Sequence, residues 1–105
     1  MFRLILIVGM LFCFNAHAQM APKHEFRGVW VATVNNIDWP SKPGLTTDQQ
    51  KKEVLDILNM HVKNGMNAII MQIRPASDAL YQSDLEPWSR YLTGTPGKAP
   101  SPFYD

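Results

Sequence analysis

The sequence predicts an α/β fold built on a parallel sheet. Three features predict it. Two apolar segments, Phe26–Val34 and Met66–Arg74, have the composition of strands, an amphipathic helical pattern lies between them, and polar residues enter the second segment only near its end.

The first segment, FRGVWVATV, is rich in β-branched and aromatic residues and lacks clean alternation. That suits a strand covered on both faces. Asn35-Asn36-Ile37-Asp38-Trp39-Pro40 ends it, and Ser41-Lys42-Pro43-Gly44 is a loop by composition. Thr47 then reads as a helix N-cap, with Gln50 three residues on completing a capping box and Asp48 suiting the positive end of the helix dipole. On a helical wheel Val54, Leu55, Leu58 and Val62 share one face with Ile57 at its edge, while Lys51, Lys52, Glu53, Asp56 and Lys63 mostly face away. Asn64-Gly65 is a stop, because Gly65 can take the left-handed conformation. His61 lies on the apolar side and reads as a packing residue, since no other His or Cys is placed to join it as a ligand. MNAIIMQIR, Met66–Arg74, is the second strand. Strand, helix and strand in this order form a βαβ unit with parallel strands and a right-handed crossover.

Alternation along the second strand puts Ile70, Gln72 and Arg74 on one side and Ile69, Met71 and Ile73 on the other. Polar residues toward the end of one face fit a barrel interior that becomes wet at its top, better than a sheet covered by helices on both faces. Two strands and one helix cannot cover both faces of a sheet, and the prolines at 87, 96, 100 and 102 leave no later segment that reads as a strand. The expected architecture is therefore the N-terminal βαβ portion of a (β/α)₈ TIM-type barrel, occupying residues 25–105 and incomplete by itself.

Ahead of it, MFRLILIVGMLFCFNAHAQ has a positive start, a short apolar run and the A-x-A end Ala16-His17-Ala18. This pattern predicts a signal peptide over residues 1–18 cleaved after Ala18, a linker over 19–24, and export to the periplasm or outside the cell without a stable membrane span. Cys13, the single cysteine, lies inside the leader behind the bulky Leu11-Phe12, which argues against acylation. The cleaved chain would have no thiol for disulfides, catalysis or metal binding. One of the ten Lys plus Arg is Arg3, so the remaining nine balance the nine Asp plus Glu. A neutral chain without basic clusters gives no electrostatic reason for a nucleic-acid partner. No Gly-rich phosphate loop is present, no residue pattern calls for a metal or other cofactor, and Ser77 and Ser89 have no His partner for nucleophilic catalysis.

In parallel α/β folds ligands meet the carboxyl ends of the strands. Two loops leave those ends here, one carrying Asn35, Asn36, Asp38 and Trp39 and the other running from Arg74 to Tyr91. Trp39, Tyr81, Trp88 and Tyr91 offer flat apolar faces suited to the C–H faces of a pyranose, while Asp38, Asp78, Asn35 and Arg74 offer the directional hydrogen bonds that sugar hydroxyls need. Together they read as a carbohydrate cleft. Each also has a packing explanation: Trp39 before Pro40 as a plug of the barrel end, Arg74 tied to Asp78 in an ion pair, Trp88 folding the loop on itself, and Asp84 and Glu86 as solvated charges.

The blocks RGVWVATV, NIDWP, QIRPASDALY and PWSRYLTG resemble the start of glycosyl hydrolase-like family 10, and the resemblance runs from Glu25 to the end of the chain. It implies an exported bacterial protein with a (β/α)₈ barrel and a glycoside hydrolase-like activity on a polysaccharide, bacterial cell-wall glycan being one substrate class. It further implies that Asn36, Asp38, Trp39, Arg74, Asp78 and Tyr81 stand on the first two strand-end loops, with the principal acid/base and nucleophile carboxylates on later strands. Glycoside hydrolysis needs two carboxylates flanking the scissile bond, and Asp38 and Asp78 are candidates in this segment. Substrate positioning by Asn36, Asp38, Trp39, Arg74, Asp78, Tyr81 and Trp88 is the preferred expectation. A non-catalytic carbohydrate-binding barrel and an independent βαβ module that binds a partner through its aromatic loop are the alternatives.

Overall fold

The computed structural model describes residues 24–105. The expected signal peptide, its cleavage site, Cys13 and all of the linker but His24 lie outside the described residues.

Strand β1 spans Gly28–Val31, helix α1 Thr47–Lys63, strand β2 Ala68–Met71, and the short helix α2 Arg90–Thr93. β1 and β2 pair in parallel in the register Gly28↔Ala68, Val29↔Ile69, Trp30↔Ile70 and Val31↔Met71. The expected βαβ unit with parallel strands is therefore present.

Both strands are shorter than the sequence suggests. Past Val31 the chain curls into a 3₁₀ turn at Val34–Asn36, where Asn35 and Asn36 both adopt φ 54°. Asparagine is among the few non-glycine residues that tolerate this left-handed region. Past Met71 one more ladder bond, Gln72 N–H to the Val31 carbonyl at 3.0 Å, closes the pairing.

Helix α1 begins one residue earlier than its sequence signal. Thr46 is the N-cap, and its side chain and that of Gln49 exchange the two reciprocal bonds of a capping box. Asn64 closes the other end and Gly65 takes φ +79°; a Cβ there would meet nothing within 4 Å, so the backbone conformation alone favours glycine. The packed stripe of the helix keeps Val54 and Ile57 of the predicted face and extends to Thr47 and Gln50. Thr47 and Gln50 are buried, with Val54 and Ile57 packed against the core and His61 half-buried behind them. Leu55, Leu58 and Val62 are exposed instead. Gln50 Nε2 donates to the Leu45 and Leu92 carbonyls at 3.0 Å each and fixes that edge of the helix, while Leu58 lines the small apolar cavity between helix and sheet with Val31, Val54, Ile57, Ile69 and Met71.

Val31, Trp39, Leu80 and Leu92 form the core, with Val54, Ile57, Ile69, Met71 and Trp88 packed against them. Ile69 and Met71 thus point to the helix, whereas Trp30 and Ile70, paired in register, point away from it and are exposed. The two faces expected from alternation in β2 are separated in this way. Leu92 is fully buried, and truncating such a residue to alanine costs about 2–5 kcal/mol.

Candidate functional site

Because the strands are parallel, the loops after Val31 and after Met71 leave the same edge of the sheet. The first loop is closed by Asp38. Its Oδ2 accepts the Ala32 N–H at 2.7 Å, and its own N–H donates to the Ala32 carbonyl at 2.9 Å. The carboxylate stays on the exposed surface. Asn36 acts differently. Its Nδ2 donates to the carbonyls of Pro40 and Tyr91, both at 2.9 Å, tying the loop to α2. Alongside it the Tyr91 hydroxyl donates to Asn35 Oδ1 at 3.1 Å.

Trp39 is 4% exposed and its indole Nε1–H donates to the Gln50 carbonyl at 2.9 Å. Its ring is a core element packed with Val31, Leu80 and Leu92 on the helix side of the sheet. Tyr81 and Trp88 are half-buried. The Trp88 ring meets Phe103 edge to face, with centroids 6.0 Å apart, and lies against the core.

The second loop holds Asp78 and Arg74. Asp78 is buried, and its Oδ1 accepts the Ala76 N–H at 3.0 Å, a bond reaching two residues back across Ser77. Ser77 takes φ 54°, a conformation costing a serine about 1–3 kcal/mol, and the Asp78 bond helps hold it there. Arg74 does not pair with Asp78. Its Nε donates to Glu86 Oε2 at 2.6 Å and its Nη2 donates to Glu86 Oε1, a side-on fork. The hydrogen bond and charge of Glu86 hold the guanidinium more firmly protonated, while those of Arg74 lower the pKa of the Glu86 carboxyl below the usual value for glutamate.

Two expectations are corrected by this geometry. The partner of Arg74 is Glu86 rather than Asp78, because Asp78 is turned into its own loop. Glu86 is accordingly a paired group with a 16% exposed side chain, not a solvated charge.

The structure thus carries Asp38 on the loop after β1 and Arg74, Asp78 and Tyr81 on the loop after β2, with Asn36 bonded to the Pro40 and Tyr91 carbonyls and Trp39 and Trp88 packed in or against the core. Sequence reasoning missed Glu86, twelve residues from Arg74, and the clamp made by Gln72 on the first loop. Periodicity has no signal for a pair set by loop closure; for Gln72 the signal was its parity with Arg74. Among the described residues no group of three or more His, Cys, Asp or Glu could hold a metal ion, and no helix is long and apolar enough to cross a membrane.

Residues 25–104 match the profile described as glycosyl hydrolase-like 10. The chain is 49% identical over 94 residues to a Bacillus subtilis (strain 168) protein named glycosyl hydrolase YngK, a match covering 90% of this chain and 18% of that relative. It is 35% identical over 86 residues to the Escherichia coli (strain K12) protein named glycosyl hydrolase DigH, covering 75% of this chain and 19% of the relative. The chain therefore spans about a fifth of the length of the curated relatives it matches.

Proposed function

Since the chain belongs to the glycosyl hydrolase-like 10 family, we propose that it supplies the first βαβ unit and part of the substrate rim of an exported (β/α)₈-barrel glycoside hydrolase. The proposed substrate is a polysaccharide, with bacterial cell-wall glycan the first candidate. The observation that best supports this reading is the parallel pairing of β1 and β2, which brings Asp38 and the Arg74–Tyr81 stretch out on one edge of the sheet. In parallel α/β barrels that edge is where substrates bind.

In this reading Asp38, Arg74 and Asp78 hydrogen-bond sugar hydroxyls or orient a catalytic acid, and Tyr81 lines a subsite. Asn36, Trp39 and Trp88 hold the loops that carry them. The principal acid and nucleophile, or acid and base, are assigned to later strands of the barrel, as the family resemblance implies, and Asp38 and Asp78, each accepting a backbone N–H that shapes its own loop, keep the positioning role. Export is supported by the leader over residues 1–18.

The test is release of new reducing ends from purified cell-wall glycan by the full-length protein. Cleavage that is lost when rim residues are substituted supports the proposal. Tight binding to the same glycan with no bond cleaved would leave a carbohydrate-binding barrel in its place.

A further inference from the structure

Glu86 stands behind Arg74, and its own backbone is fixed on both sides. The N–H groups of Leu85 and Glu86 both donate to Ser83 Oγ at 3.2 Å. One residue further on, the Pro87 carbonyl accepts the Ala79 N–H at 2.9 Å, beside an isolated parallel bridge between Ala79 and Trp88. The side chain of Glu86 is 16% exposed and that of Arg74 59%. The carboxylate is therefore the anchor and the guanidinium the group being anchored.

The side-on grip engages Nε and Nη2, one edge of the planar guanidinium. The remaining N–H groups, on Nη1 and Nη2, have no partner among the described residues. They form the end-on fork of a group that carries five donors in fixed geometry.

We propose that Glu86 is a positioning residue for glycan binding: it locks one edge of Arg74 so that the Nη1–Nη2 edge is presented to a pair of oxygen acceptors on a sugar ring. This rests on the reading of Arg74 as part of the glycan subsite. Unheld, a long arginine side chain would lose rotamer freedom on binding, and the fixed carboxylate removes part of that cost beforehand.

The experiment compares Arg74→Ala, Glu86→Ala, Glu86→Gln and the double variant Arg74→Ala/Glu86→Ala in the full-length protein. The readouts are co-sedimentation affinity for purified insoluble cell-wall glycan, KM and kcat for reducing-end release, and thermal melting. Arg74→Ala and Glu86→Ala should each weaken affinity and raise KM about tenfold with kcat changed far less, and the double variant should be no worse than Arg74→Ala. Glu86→Gln, which keeps the shape but loses the charge, should fall between Glu86→Ala and the parent, and it carries the comparison if Glu86→Ala does not fold. An unchanged affinity in both Glu86 variants, with Arg74→Ala impaired, would overturn the role of Glu86 and leave Arg74 in the subsite. An extra loss in the double variant would show that Glu86 acts independently of Arg74 and would also overturn it. Unchanged affinity in Arg74→Ala would remove Arg74 from the subsite and this inference with it.

Discussion

Gln72, just past β2, clamps Thr33, two residues past β1, through both its side chain and its backbone. Its side-chain Oε1 accepts the backbone N–H groups of Thr33 at 3.0 Å and Val34 at 3.1 Å, while Thr33 Oγ1 donates to the Gln72 carbonyl at 2.6 Å. Thr33 is fully buried. The clamp holds the first rim loop against the second strand where the ladder has already ended.

Replacing Gln72 with alanine should therefore strand two backbone N–H groups, one of them buried. The expected loss is about 1–3 kcal/mol per unsatisfied group, read as a lower denaturation midpoint of the full-length protein. Gln72→Glu keeps the accepting oxygens and should lose much less near neutral pH. Equal losses in the two variants would show that the amide, and not its acceptor oxygen, is what the loop needs.

The start of α1 makes a second prediction. Thr46→Ala removes the bond from the Gln49 N–H and should cost about 1 kcal/mol of stability. Thr47 acts elsewhere, donating through Oγ1 to the Pro102 carbonyl at 2.6 Å. Thr47→Val should thus leave the helix cap intact in amide hydrogen exchange while loosening the segment around Pro102. Faster exchange of the first helical turn in Thr47→Val, with Thr46→Ala silent, would reverse the assignment.

Those neighbouring threonines show how far the sequence was legible. The stretch TTDQQ contains T-x-x-Q in two registers, Thr46 to Gln49 and Thr47 to Gln50, and local capping chemistry does not separate them. The tertiary fold does, because Gln50 is drawn into the core to meet Leu45, Leu92 and Tyr104. On the same helix Val54 and Ile57 pack against the core, whereas Leu55 and Val62 stay exposed. The parallel βαβ unit was readable because it rests on hydrophobic periodicity and chain order. The rim pairings were not, since Arg74–Glu86 and Asn36–Tyr91 are joined by loops whose path no local pattern encodes.

For the proposed hydrolase, Asp78→Asn in the full-length protein should lower turnover on glycan by about tenfold or more with the fold retained. Asparagine keeps an oxygen to accept the Ala76 N–H, so the loop at Ser77 can survive while the negative charge is lost. Near-ultraviolet circular dichroism would confirm the fold, and reducing-end release would give the rate. A rate equal to that of the parent removes Asp78 from the site.

Near the N-terminal end of α1, Tyr104 sets a pH limit. Its hydroxyl donates to Gln50 Oε1, Lys51 Nζ lies 5.2 Å from its ring centroid, and burial pushes its pKa up to about 12 from 10.0. The folded state therefore favours the neutral phenol, since ionisation would put an anion against the Gln50 carbonyl oxygen in a half-buried site. An unfolded chain releases this proton near its ordinary value, so between pH 10 and about 12 the unfolded state holds fewer protons than the folded one. Stability falls with rising pH in that window: the contribution is fully present below pH 10 and is lost as pH passes through about 12. Denaturation midpoints of the full-length protein measured across the window should fall more steeply for the parent than for Tyr104→Phe, which has no proton to release. Tyrosinate absorbance should lose its highest-pH step in the same variant. Identical pH slopes, together with a Tyr104 step near pH 10, would mean that the phenol is not held against Gln50.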